Sequence, residues 1–252
     1  MSGHSKWSTI KRKKGLIDSQ RGRIFTKLVR ELIVAAKNGG GSPDSNARLR
    51  VVITKAKEVN MPADNIKRAI QKGTGELEGV NYEEIRYEGY GPGGIAIMVD
   101  SLTDNKNRTA SEIRSMFSKN GGNMGESGCV SWMFERKGYI TVDKNKIAED
   151  ELMTIVLDAG AEDMKIEEDS YEIITLPEDF DKVKVVLQEK KIEMSTSEIT
   201  MIPKNYVTVE GKDANQLLNL IDTLEANDDV QQVYGNFDIS EKILEEREKT
   251  AA

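Results

Sequence analysis

The chain has 252 residues, 38% hydrophobic and 31% charged, with a formal charge of −7 and a sequence pI near 5.1. One Cys and one His exclude a disulfide framework, multi-Cys metal sites and His-paired metal motifs. The longest apolar run, residues 95–99, falls far short of the ~20 residues that cross a bilayer, and no signal-peptide core follows the first basic segment, so a cytoplasmic protein without a membrane partner is expected.

The charge is unevenly divided. The first 75 residues hold 10 Lys and 7 Arg against five acidic residues, a formal +12, which leaves −19 for the remainder. Such a division bears on partners: a basic lobe attracts polyphosphate, and the acidic remainder is turned outward by the same field. The basic head is densest in GHSKWSTIKRKK at residues 3–14, where five of twelve residues are Lys or Arg and none is acidic.

Residues 18–37 carry apolar positions at three- and four-residue spacing (Phe25, Leu28, Leu32, Ala36) and read as a helix stopped by Asn38-Gly39-Gly40-Gly41. Arg23, Lys27, Arg30 and Lys37 fall within about 80° of its wheel, at ~100° per residue. Ser42-Pro43 is read as the cap and first position of a second helix, with Leu49, Val52, Ile53 and Ala56 inside. Pro62 opens a short third helix closed at Gly73. These make a small helical bundle, followed by a linker at residues 73–81.

The remainder alternates. Strand, helix and strand are expected at 94–101, 108–119 and 128–134, and again at 138–142, 147–159 and 163–168. The order repeats at 171–176, 180–190 and 193–202, and once more at 206–209, 215–224 and 230–238. Four β-α-β units make two plaits of the split β-α-β type. The middle two units are joined by a tight turn at residues 168–170, which favours one plait inserted in the other. The expected fold is thus α+β. Its domains are a basic helical domain (1–75), a discontinuous plait (82–134 with 204–240), an inserted acidic plait (135–203) and a charged tail (241–252).

The candidate nucleic-acid contacts are His4, Ser5, Lys6, Trp7, Lys11, Arg12, Lys13 and Lys14 in the head, and Arg21, Arg23, Lys27 and Arg30 on the first helix. Lys and Arg give affinity through phosphates without reading sequence. Trp7 either stacks on an unpaired base or packs the arm onto the bundle. An extended basic arm with a basic helix suits folded RNA and also duplex DNA. Asp104, Asn105, Asn107 and Arg108, between a strand and a helix, are candidate partner contacts, although helix capping accounts for part of the cluster. GYGPGG at 89–94 lacks the Lys-Ser/Thr of a phosphate loop and precedes a strand, so it reads as a turn. GESG at 125–128 is one residue short of G-x-S-x-G, and a triad would need His4 from the basic arm. No catalytic residue, metal or cofactor is expected.

Long runs then resemble a known family. GHSKW (3–7), RGRIFTKLVREL (21–32), GGGSPDSNARLR (39–50), NMPADNIKRAI (60–70), TDNKNRTASEIRS (103–115), GGNMGESGCVSWMF (121–134) and VYGNFDI (233–239) are similar to the YebC family, and the resemblance covers essentially the whole chain. It implies a helical N-terminal domain with two α/β domains. It also implies a regulator of gene expression: bacterial members are described as probable DNA-binding transcriptional regulators, mitochondrial relatives as translational activators of cytochrome c oxidase, and some bacterial members as ribosome-associated factors. The expected partner is therefore DNA or ribosomal RNA, with the ribosome or the transcription machinery nearby. A scaffold for an acidic protein is the alternative, and a monomer suffices for each reading.

Overall fold

In a computed structural model the described residues are 18–240 and 243–244, with side chains from residue 22 onward. The fold is α+β: a bundle of three helices and two plaits, one inserted in the other.

Helix α1 (Asp18–Gly39) buries Leu28, Leu32, Ile33, Ala35 and Ala36 against α2 (Ala47–Glu58) and α3 (Ala63–Thr74). The closest approach is at Gly73, where a Cβ would lie 2.4 Å from the Ile33 carbonyl oxygen, so only glycine lets α3 pack on α1. The α1–α2 link differs from the sequence reading. Ser42 is not the cap; residues 42–45 form a turn, and α2 is capped by Asn46. The Asn46 Oδ1 accepts the Leu49 N–H at 3.0 Å, and its Nδ2 donates to the Ala35 and Gly40 carbonyls at 2.8 Å each. A serine hydroxyl has one proton and could not serve both of those carbonyls.

The first plait has the sheet order β3-β1-β2-β9, all antiparallel. Strand β1 is Glu83–Tyr90, β2 Ala96–Thr103, β3 Asn123–Met124 and β9 Val230–Gly235. Helices α4 (Lys106–Lys119) and α7 (Gly211–Glu225) cover one face; Ile113 and Phe117 of the former meet Leu217, Leu220 and Leu224 of the latter over Ile97 and Val99. Two expectations are corrected. Residues 128–133 are turns and a 3₁₀ segment at Ser131–Met133, and a strand begins only at Phe134. β1 was not foreseen, yet it fills the place beside β2, while β8 (Val207–Thr208) leaves the sheet to pair in parallel with β10 (Phe237–Asp238).

The second plait has the order β5-β6-β4-β7, built from β4 (Phe134–Asp143), α5 (Glu149–Asp158), β5 (Ala161–Ile166), β6 (Ser170–Thr175), α6 (Phe180–Glu189) and β7 (Met194–Pro203). β6 separates β4 from β5, which is the split β-α-β arrangement. Its core holds Ile140, Val142, Leu152, Val156, Ile173, Val183 and Leu187. The joint between the plaits is apolar: Ala96, Met98, Val130, Phe134 and Tyr234, with Met133 and Met201 packed against them. Among the described residues no helix is long and apolar enough to cross a membrane.

Candidate nucleic-acid interface

The expected contacts separate into groups. His4, Ser5, Lys6, Trp7, Lys11, Arg12, Lys13 and Lys14 lie outside the described residues. Arg21 is on α1, with its side chain outside them. Arg23, two residues on, is exposed.

Lys27 and Arg30 are both engaged inside the protein. The Lys27 Nζ donates to the carbonyl of Glu225, the last residue of α7, at 2.8 Å. A lysine there satisfies a free carbonyl and the partial negative charge of the helix end. The Arg30 guanidinium donates to the Asp228 carbonyl at 2.7 Å, the Leu102 carbonyl at 3.3 Å and the Asp229 carboxylate, and lies 5.3 Å over the Tyr82 ring. The basic stripe of α1 thus serves in part to dock the bundle on the first plait.

Asp229 is the centre of this junction, and sequence reasoning missed it. Besides Arg30, its carboxylate accepts from Arg108 Nη2 at 2.8 Å and Thr109 Oγ1 at 2.6 Å, with Thr103 Oγ1 at 3.3 Å. Burial pushes this carboxyl up, but the bonds from Arg108, Thr109 and Arg30 outweigh burial and hold it below the usual carboxylate range. The expected partner-contact cluster belongs largely to the same network. Asn105 caps α4 through the Arg108 N–H at 3.1 Å, and Arg108 bridges Asp104 and Asp229 at 2.8 Å each. Of the four, Asn107 stays exposed, with no side-chain hydrogen bond among the described residues.

The cations turned to solvent lie elsewhere on the bundle. Lys67, Arg68 and Lys72 are exposed on α3, opposite its buried Ile66 and Ala69, and Lys57 is exposed on α2. None of them has an ion pair among the described residues. With Arg23, and with the exposed Arg50 and Lys37, they belong to the described part of the basic lobe open to a polyanion. The signal for α3 was its polar face, Lys67-Arg68 with Lys72, on a strongly amphipathic turn sequence.

Between the bundle, the outer face of the first sheet and strand β7 runs a cleft of about 1250 Å³. Its charges are of mixed sign and partly paired: Arg48 binds Glu84, and Arg86 grips Asp100 through two bonds of 2.6 and 2.9 Å.

The loop after β3 is held from below. The Glu88 carboxylate, buried in β1, accepts the N–H groups of Gly128, Val130 and Ser131 at 2.9, 2.8 and 2.7 Å. Burial raises this carboxyl, and the three amides more than reverse that, so its pKa is lowered. Cys129 in the same loop is shifted up, first by burial and then by the charge of Glu88, the reverse of an activated thiolate. The GYGPGG segment is a turn between β1 and β2, with Gly93 and Gly94 in the left-handed region.

Comparison with known proteins agrees with this architecture. Residues 5–76 match the TACO1/YebC protein N-terminal domain, and residues 82–237 match the TACO1/YebC second and third domain. The chain is 58% identical to a probable transcriptional regulatory protein of Natranaerobius thermophilus, over 97% of this chain and 99% of that protein. It is 58% identical to one of Pelotomaculum thermopropionicum, over 96% and 100%. The crystal structure of the conserved hypothetical protein Aq1575 from Aquifex aeolicus superposes with a TM-score of 0.79 at 49% identity, covering 90% of this chain and 94% of that one.

Proposed function

The chain belongs to the TACO1/YebC family, and from that membership and its charge division we propose that it is a non-enzymatic, nucleic-acid-binding regulator of gene expression, working in the cytoplasm. The observation that carries this reading is the +12 of the first 75 residues in a chain of net −7. The basic helical domain docks on phosphates through the head and through Arg23, Lys57, Lys67, Arg68 and Lys72. Ribosomal RNA is the favoured target, because a basic N-terminal segment together with exposed helical cations suits an irregular folded surface. The second reading, a DNA-binding transcriptional regulator, is favoured by what the relatives are called.

Sedimentation with purified ribosomes, against a duplex-DNA shift at matched ionic strength, separates the two. The control carries Lys11→Glu, Arg12→Glu, Lys13→Glu and Lys14→Glu. Ribosome binding that the control loses supports the RNA reading; tighter binding to duplex DNA supports the other. Binding to either must fall with salt, at about 0.7–0.9 of log-log slope per phosphate contacted. A flat salt response would sink both.

A further inference from the structure

The most exposed large apolar side chain among the described residues is Trp132, at 65%. It stands in the 3₁₀ turn Ser131–Met133, and its indole N–H donates to the Cys129 carbonyl at 3.1 Å. Tyr90, at the end of β1 and 40% exposed, donates its hydroxyl to the same carbonyl at 3.2 Å. Two aromatic side chains are therefore tied by their polar edges to one oxygen, and both residues stay exposed. The carbonyl is itself fixed, since the Glu88 carboxylate holds the amides of Gly128, Val130 and Ser131 on either side of it. Gly125 packs so close to Cys129 that a Cβ would fall 2.6 Å from its Sγ. An exposed Trp has no packing reason to be held this rigidly; a preorganised contact surface does.

We propose that Tyr90 and Trp132 form a stacking platform for unpaired bases of a single-stranded nucleic acid, an inference that rests on the nucleic-acid reading above. The polar edges decide the occupant. A proline-rich peptide in an aromatic groove needs ring donors for its carbonyls, and here the indole N–H and the phenol hydroxyl already serve Cys129. A base presents a π-face and asks for no such donor, so stacking uses what the rings still offer. Stacking is tolerant of sequence. The platform adds affinity for unpaired strands, while the basic lobe supplies the salt-dependent part.

The test uses the full chain with Trp7→Phe, which leaves Trp132 as the single indole, and a 12-nucleotide oligouridine against a 12-base-pair RNA duplex. The single strand quenches Trp132 emission and the duplex does not. Trp132→Ala weakens single-strand binding roughly 5- to 150-fold and leaves the slope of log affinity on log salt unchanged, because no phosphate contact is lost. Trp132→Phe restores most of the binding. Equal binding by Trp132→Ala, or quenching by a proline-rich peptide and not by the oligonucleotide, overturns the platform. In that event the Lys11–Lys14 charge reversal still tests the basic lobe, and failure of the unaltered chain to bind any nucleic acid overturns both.

Discussion

Replacement of Asp229 by alanine tests whether the bundle is held on the first plait by one buried carboxylate. Its side chain is 5% exposed and its two oxygens serve Arg30, Arg108, Thr109 and Thr103. The losses are unequal. Arg108 is 42% exposed and keeps Asp104, so its share is discounted to about 0.5 kcal/mol. Arg30 is 14% exposed, and Thr109 is fully buried. Each loses a charge-assisted bond worth about 1–1.5 kcal/mol. The expected cost at neutral pH is about 3 kcal/mol, read from urea unfolding and from faster amide exchange in α1. Asp229→Asn keeps an acceptor for Thr109 and falls between. The sign with pH follows from the lowered native pKa. The contribution is complete above the unfolded value, about 3.9, and is lost as pH falls through the lower native value. The gap between wild type and Asp229→Ala is thus the same at pH 7 and pH 5 and closes only below about pH 4. A cost under about 1 kcal/mol, or a gap that closes by pH 5, would refute the reasoning.

Gly73→Ala forces a Cβ against the Ile33 carbonyl, so α3 must shift; a loss of about 2–3 kcal/mol is expected in thermal unfolding. Asn46→Ser keeps a cap for Leu49 but abandons the Ala35 and Gly40 carbonyls, with an expected cost of about 1–2 kcal/mol and faster amide exchange from Gly40 to Leu49. Glu88→Gln leaves the amides of Gly128, Val130 and Ser131 facing a neutral group. Their exchange should quicken while the core strands stay protected, and quenching of Trp132 by acrylamide should rise. Glu172→Gln in β6 should leave stability at pH 7 equal or higher, since burial raises that carboxyl despite the bond from Tyr139. A raised native pKa means that wild-type stability falls as pH climbs through it.

The helices and most strands were legible because their patterns are local. The wheel of α1, the Asn-Gly-Gly-Gly stop, and the alternation around Ile140 and Ile173 depend on neighbours a few residues away. β1 was not legible, because Glu83-Glu84-Ile85-Arg86-Tyr87-Glu88 looks like a charged linker. Only the partner strand shows that Ile85 and Tyr87 face one way and that Arg86 meets Asp100 on the other. Residues 128–134 failed for the opposite reason: their apolar content suggested a strand, and a carboxylate forty residues earlier in the chain bends them into a turn. The fates of Lys27 and Arg30 are of the same kind. A helix wheel shows that a cation leaves the apolar face; it cannot show whether it meets solvent or the end of a helix 198 residues away.

That distinction separates the two joints of the molecule physically. The plaits meet through Met98, Val130, Phe134, Met133 and Met201, an apolar contact whose strength rises with excluded salts and which acid leaves alone. The bundle keeps its own apolar cluster, to which the link contributes Tyr82, and meets the first plait through Lys27, Arg30 and the Arg48–Glu84 pair. Charged contacts at a partly exposed boundary weaken as the Debye length shortens. Raised chloride should therefore loosen the bundle before the plaits part, and limited proteolysis should then cut first in residues 75–82. A protein that reads polyphosphate through the bundle works under the same screening, so salt that releases the ligand also loosens the domain that carries it. If cleavage in 75–82 were independent of chloride, the exposed Arg48–Glu84 pair would contribute nothing to the docking, and the buried Asp229 contacts would carry it.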